Sequence, residues 1–195
     1  LSIRRQRQMC IRDRCPVCVT PVSYIDEAVY LAREKSVTIC TFGDLVRVPG
    51  SKKSLADARS EGGKIHIVYS PADAEKYAKK HPEEEVVFLS VGFETTTPAG
   101  CLSVKKAKEE GITNYSMLIA NKTMPQAYEA LKGSADIFLY PGHVNAITGT
   151  KLCEELVQEG VSGVVAGFTA KELLTALAVA LTHFQKGKPF FVNCY

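Results

Sequence analysis

Residues 86–111 read VVFLSVGFETTTPAGCLSVKKAKEEG. The opening six residues, 86–91, are almost wholly apolar, the composition of a strand covered on both faces. Residues 99–110 follow as a helix, and Gly111 closes it. Between them lies GFETTTP, 92–98, a strand exit carrying glycine, a carboxylate and three hydroxyls. One strand, one loop and one helix of this kind form half of a parallel crossover unit.

The same alternation extends in both directions. Downstream, strands are expected at 115–120, 137–140 and 161–166, and helices at 126–132, 144–159 and 169–186, the last two stopped by Gly160 and Gly187. Upstream, Ile25, Ala28, Val29 and Ala32 mark one face of a helix over 24–34, followed by an apolar strand at 37–42. A short helix over 55–60 ends at Gly62, and 65–69 reads as a strand. Ser70-Pro71 opens a further helix, with Ser70 at the cap, Pro71 in the first position and Asp73 completing the pattern. The reading is an α/β fold: Rossmann-like parallel sheets with helices on both faces, in two lobes.

The chain has 195 residues, enough for one large domain or two small ones. Hydrophobic residues make up 46% and charged residues 23%, which excludes disordered, collagen-like and low-complexity classes. The apolar run at 173–184 is too short for a membrane span, and residues 1–14 lack a signal-peptide core. A cytoplasmic protein with no membrane partner is expected. The net charge of +3 resides in Arg4, Arg5, Arg7, Arg12 and Arg14, against Asp13. The remainder is slightly acidic, so no nucleic-acid partner is expected. Residues 1–14 read as a non-native or disordered basic arm. Gly62-Gly63 and the polar stretch 81–85 are candidate boundaries. The expected organisation is part of a first α/β lobe over 15–63, a second lobe over 64–187, and the start of a truncated C-terminal region over 188–195.

In open parallel sheets, ligands bind beyond the carboxyl ends of the strands. Here those exits are TFGDLVRVPGS at 41–51, GFETTTP at 92–98, Asn121-Lys122-Thr123, PGHVN at 141–145 and Gly167-Phe168-Thr169. Glu94 reads equally as a solvated carboxylate, Thr96 or Thr97 as a helix cap, and His143 as a histidine serving a buried carbonyl. Seven cysteines in a chain without an export signal do not form a disulfide framework. Cys15-Pro16-Val17-Cys18 stands apart. Placed just before a helix, such a pair serves as a redox couple or as half of a metal site, and spacing alone does not separate the two.

Taken together, CPVC at 15–18, TFGDLVRVPGS, GFETTTP and PGHVN, in this order, resemble the HypD family of hydrogenase maturation factors. The resemblance runs from Cys15 to Tyr195. It implies two Rossmann-like lobes and a scaffold on which the Fe(CN)2CO group of nickel–iron hydrogenases is assembled. A HypC-like small chaperone and a HypE-like cyanide donor would be its partners. Cys15 and Cys18 would be the redox-active pair and a possible metal ligand set, acting in an assembly scaffold rather than a turnover enzyme. Glu94, Thr95, Thr96 and His143 would line the cleft for the iron complex. Asp44, Arg47 and Ser51 would belong to that cleft or to a partner surface. The family also carries a 4Fe-4S cluster, whose ligands have no counterpart in this sequence, nor has an upstream Cys-Gly-x-His motif. Asn121 stands where a histidine is usual. The expectation is an N- and C-terminally truncated member. The alternatives are a stand-alone thiol–disulfide oxidoreductase, motivated by CPVC alone, and a ligand-binding module without chemistry.

Overall fold

The computed structural model describes residues 20–35 and 37–195. The chain divides after Lys122 into two compact units. In the first, α1 (Val22–Glu34), β1 (Thr38–Thr41), α2 (Leu55–Ser60), β2 (Ile65–Ile67), α3 (Pro71–Lys80), β3 (Val86–Gly92), α4 (Thr97–Glu109) and β4 (Tyr115–Asn121) follow one another. The sheet order is β2-β1-β3-β4, and every pair is parallel.

Strand alternation explains the two cores of this sheet. Ile39, Leu89 and Val91 point to one face, where Tyr24, Ile25, Ala28 and Ala32 of α1 meet Leu45, Leu55 and Ile65. Cys40, Val86 and Phe88 point to the other, against Val68 and Ala74 and Ala78 of α3. All of β1 is buried because it has a strand on either side and helices above and below. Each large aliphatic side chain removed from water this way contributes about 1.5–3 kcal/mol.

The second unit holds α5 (Met124–Leu131), β5 (Ile137–Pro141), α6 (Gly142–Thr148), α7 (Lys151–Gln158), β6 (Ser162–Ala166), α8 (Ala170–Phe184) and β7 (Phe191–Asn193). Its three parallel strands lie in the order β5-β6-β7. Tyr140 and Val165 pack with Tyr128, Cys153 and Leu156 on one face, and Val164 and Ala166 with Ala176, Ala180 and Phe190 on the other. Thr169 and Glu172 form a reciprocal capping box at the start of α8.

The α/β fold with two parallel sheets is as the sequence predicts, but the division of the chain differs. Strands on both sides of the expected 63/64 boundary hydrogen-bond within one sheet, β1 to β2 and β1 to β3. Gly62-Gly63 is a tight helix-to-strand turn instead. Gly62 has φ +95°, and a side chain on Gly63 would meet the Ala58 carbonyl oxygen at 2.8 Å. Residues 188–195, expected to open a separate region, supply β7. The helix expected over 144–159 is broken at Gly149, where φ is +80°. The basic arm at 1–14 lies outside the described residues. Among the described residues, no helix is long and apolar enough to cross a membrane.

Candidate functional site

The first sheet places a crevice at the exits of β1 and β3. The chain moves from β1 outward to β2, then returns to the other side of β1 for β3, so the two exits flank a topological switch point. A cavity of about 210 Å³ opens there. Phe42, Tyr69 and Phe88 give it aromatic walls, and Ser90, Thr95 and Thr96 give it hydroxyls. Two of the expected cleft residues are therefore brought together with a serine that the sequence did not single out.

The turn holding them is tightly specified. Gly92 has φ +145°, a conformation that side chains disfavour, and its carbonyl accepts from Lys122 N at 2.9 Å. The Phe93 carbonyl then receives the backbone amides of Thr96 and Thr97 at 3.2 and 3.1 Å. It also receives their hydroxyls at 3.1 and 2.8 Å. The threonines thus donate backward to one carbonyl, and Thr96, in the cap position, does not accept from the helix as the sequence had offered. Glu94 sits half-buried at the tip of this turn. A side-chain chain ties the turn to its neighbours. Ser90 Oγ donates to Asn121 Oδ1 at 2.6 Å, and Asn121 Nδ2 donates to Thr97 Oγ1 at 3.1 Å.

The loop after β1 distributes its three candidates differently. Leu45 and Val46 of a short 3-10 turn, Leu45–Arg47, are buried, which leaves Asp44 and Arg47 on the exposed side. Ser51 is engaged elsewhere: its amide and hydroxyl donate to the two carboxylate oxygens of Asp26 in α1, at 2.7 and 2.6 Å. Those two bonds hold the Asp26 carboxyl below the usual carboxylate range. Gly50 allows the approach, since a Cβ there would fall 2.5 Å from Asp26 Oδ1. Ser51 is thus a clamp between α1 and this loop. Asp26 lies 25 residues away from Ser51, and no local pattern in the sequence signals the pairing.

In the second unit, β5 exits into α6 with His143 in its second position. The His143 ring lies 5.0 Å from that of Phe168, at the exit of β6. Asn145 donates to the Pro141 carbonyl at 3.0 Å and accepts from the Cys153 thiol at 3.2 Å, which fixes the start of α6 on α7. Burial pushes the Cys153 thiol up to about 11 and the Tyr140 phenol up to about 12. Gly142 is bare because the ring of Tyr195 occupies the place of a side chain, 2.1 Å from an ideal Cβ.

Cys15 and Cys18 lie outside the described residues. Among the described residues, one group of histidine and carboxylates, His81, Glu83 and Glu84, is close enough to share a metal. It sits before β3, at the opposite end of that strand from Gly92. Glu84 already accepts from Thr38, Tyr77 and Lys64. That engagement marks a structural knot, and the exits of β1 and β3 remain the better candidate site.

Comparison with known proteins identifies the family. The HypD family model, described as "Hydrogenase formation hypA family", matches residues 9–195. The hydrogenase maturation factor HypD of Rhodobacter capsulatus is 40% identical over 186 residues, covering 93% of this chain and 49% of that protein. The one from Cupriavidus necator is 38% identical over 186 residues, 89% of this chain and 49% of the relative. The Escherichia coli K12 protein is 38% identical over 170 residues, 85% and 46% respectively. The chain spans about half the length of the curated relatives it matches. With the match extending over both units and their strand-exit motifs, the chain belongs to the HypD family of hydrogenase maturation factors.

Proposed function

We propose that this chain is part of a cytoplasmic scaffold on which the Fe(CN)2CO group of nickel–iron hydrogenases is assembled, together with a HypC-like chaperone and a HypE-like cyanide donor. The observation that carries the reading is the GFETTTP turn at the switch-point cavity of a HypD-family chain. In this proposal the iron complex is cargo. Glu94, Thr95 and Thr96 of the first unit and His143 of the second are the residues that the family resemblance assigns to its handling. Hydroxyls and imidazole orient cyanide nitrogens through hydrogen bonds and tune the iron from outside its ligand shell. Cys15 and Cys18 supply a soft thiolate ligand, or two electrons on closing to a disulfide. Asp44 and Arg47, exposed on the loop after β1, offer charges to a partner protein. Ser51 contributes indirectly, by clamping that loop to Asp26.

A 4Fe-4S cluster is also implied by the family resemblance. The described cysteines do not fit one: Cys40 and Cys153 are buried in different units, and no set of described cysteines gathers its sulfurs. No step of the proposal draws on it.

The test is anaerobic incubation of the purified chain with a HypC-like protein and ferrous iron, followed by gel filtration and iron analysis. Iron is expected to travel with the pair of proteins, and to be lost in Cys15→Ala and Cys18→Ala. Retention unchanged in both variants overturns the role of the thiols. Rapid reduction of a small disulfide without iron or partner would instead establish the stand-alone oxidoreductase.

A further inference from the structure

The hydrogen bonds around the GFETTTP turn form a directed sequence that begins outside it. Ser90, buried in β3, gives its hydroxyl proton to Asn121 Oδ1 at 2.6 Å. Asn121, the last residue of β4, gives an amide proton to Thr97 Oγ1 at 3.1 Å. Thr97 Oγ1, with that lone pair engaged, gives its own proton to the Phe93 carbonyl at 2.8 Å. The backbone closes the same ring of contacts, because Lys122 N donates to the Gly92 carbonyl and Gly92 pairs with Asn121 in the sheet.

We propose that Asn121 is a positioning residue for the candidate site: through Thr97 it fixes the Phe93 carbonyl, and so the turn that presents Glu94, Thr95 and Thr96. Its chemistry is specific. The position must accept one hydrogen bond, from Ser90, and donate one, to Thr97. A carboxamide does both, and so does a neutral imidazole, with one acceptor and one donor nitrogen. A carboxylate accepts only. It would draw the Thr97 proton to itself and away from Phe93. A leucine does neither. The inference rests on the reading of this turn as the iron-complex site only for its functional consequence, since the positioning is a property of the chain.

The experiment compares Asn121→Leu, Asn121→Asp, Asn121→His and Ser90→Ala with the unmodified full chain by amide hydrogen exchange. In Asn121→Leu and Asn121→Asp the amides of Thr96 and Thr97 are expected to exchange about tenfold faster, as the loss of one net hydrogen bond would give. Amides at 87–91 in β3 should keep their rates. Asn121→His should restore protection of the turn, and Ser90→Ala should weaken it by a smaller factor. Unchanged exchange in Asn121→Leu overturns the proposal. So does a rise shared equally by β3, which is global destabilisation, or failure of Asn121→His to rescue. A second readout adds ferrous iron and cyanide anaerobically and follows the infrared C≡N stretch. A shifted band in Asn121→Leu that returns in Asn121→His extends the positioning to cargo. If the unmodified chain holds no iron even with a HypC-like protein present, the proposed function fails, and the exchange data still decide the role of Asn121.

Discussion

Gly163→Ala probes how the second unit supports its strand exits. Gly163 lies in β6 beside β5, and an ideal Cβ there would stand 2.1 Å from Cε2 and 2.6 Å from Cζ of Tyr140. Tyr140 is only 1% exposed. Its ring is wedged against Tyr128 at 4.8 Å, with Phe138 and Phe191 at 6.2 and 6.3 Å. It has no solvent to swing into, so the added methyl must displace packed aromatic atoms. Overpacking of this kind costs about 1–3 kcal/mol. For a unit of this size, a cost near 2 kcal/mol lowers the Tm by about 8–16 °C. Tyr140→Leu removes the ring atoms in question. In that background Gly163→Ala should cost less than about 0.5 kcal/mol, leaving a coupling of about 1.5 kcal/mol between the two positions. Thermal and urea denaturation of the four proteins, followed by far-UV circular dichroism, completes the cycle. Equal costs in both backgrounds would refute the reasoning, because something other than the Tyr140 ring would then be excluding the Cβ.

Other expectations follow from particular contacts. Thr169→Ala removes half of the capping box on α8 and should cost about 1 kcal/mol by urea denaturation, with Thr169→Ser close to unmodified. Ser51→Ala removes the hydroxyl bond to Asp26 and keeps the amide bond, so part of what holds that carboxyl below its usual range is lost. That stabilisation is full above the unfolded carboxylate value and lost as pH falls through the depressed folded one. The gap in urea midpoint between Ser51→Ala and the unmodified chain should therefore be widest near pH 6 and close below about pH 4, and a gap that widens on acidification counts against the clamp. Burial pushes the thiols of Cys40 and Cys153 up to about 12 and about 11. With iodoacetamide at about pH 8, exposed Cys101 should label in the native protein, while Cys40 and Cys153 label only after denaturation. Mass-spectrometric mapping that finds Cys40 modified first would overturn their assignment to the core.

The elements legible in the sequence are those whose signal is local. β1 and β3 are buried on both faces, so their apolar character survives any choice of neighbours. Ser70 and Pro71 state their helix start within four residues. β7 escaped notice because Phe191–Asn193 contributes three residues after a proline, too few to show a period. The division at Lys122 carries no glycine or proline of its own, whereas Gly62-Gly63 looks like a linker and is a turn forced by steric closeness to Ala58. At the candidate site, the placing of Thr95 and Thr96 at a strand exit was readable because the end of β3 and the start of α4 both carry local signals. Ser90 and Asp26 were not, and Asn121 was marked as a strand exit without its partners. Their roles depend on partners 25 and 31 residues away, brought into contact only by the fold.

The arrangement of strands also orders events during synthesis. Every described strand of the first sheet precedes residue 122, whereas the second sheet receives β7, and the ring that covers Gly142, only after α8. As a nascent chain lengthens, the described strands of the first sheet are all made while β6 is still open along the edge that β7 will take. An unpaired parallel edge next to freshly exposed apolar surface is prone to mispairing. The interval between the emergence of β6 and that of β7 leaves an open edge that slow synthesis prolongs and a chaperone can cover.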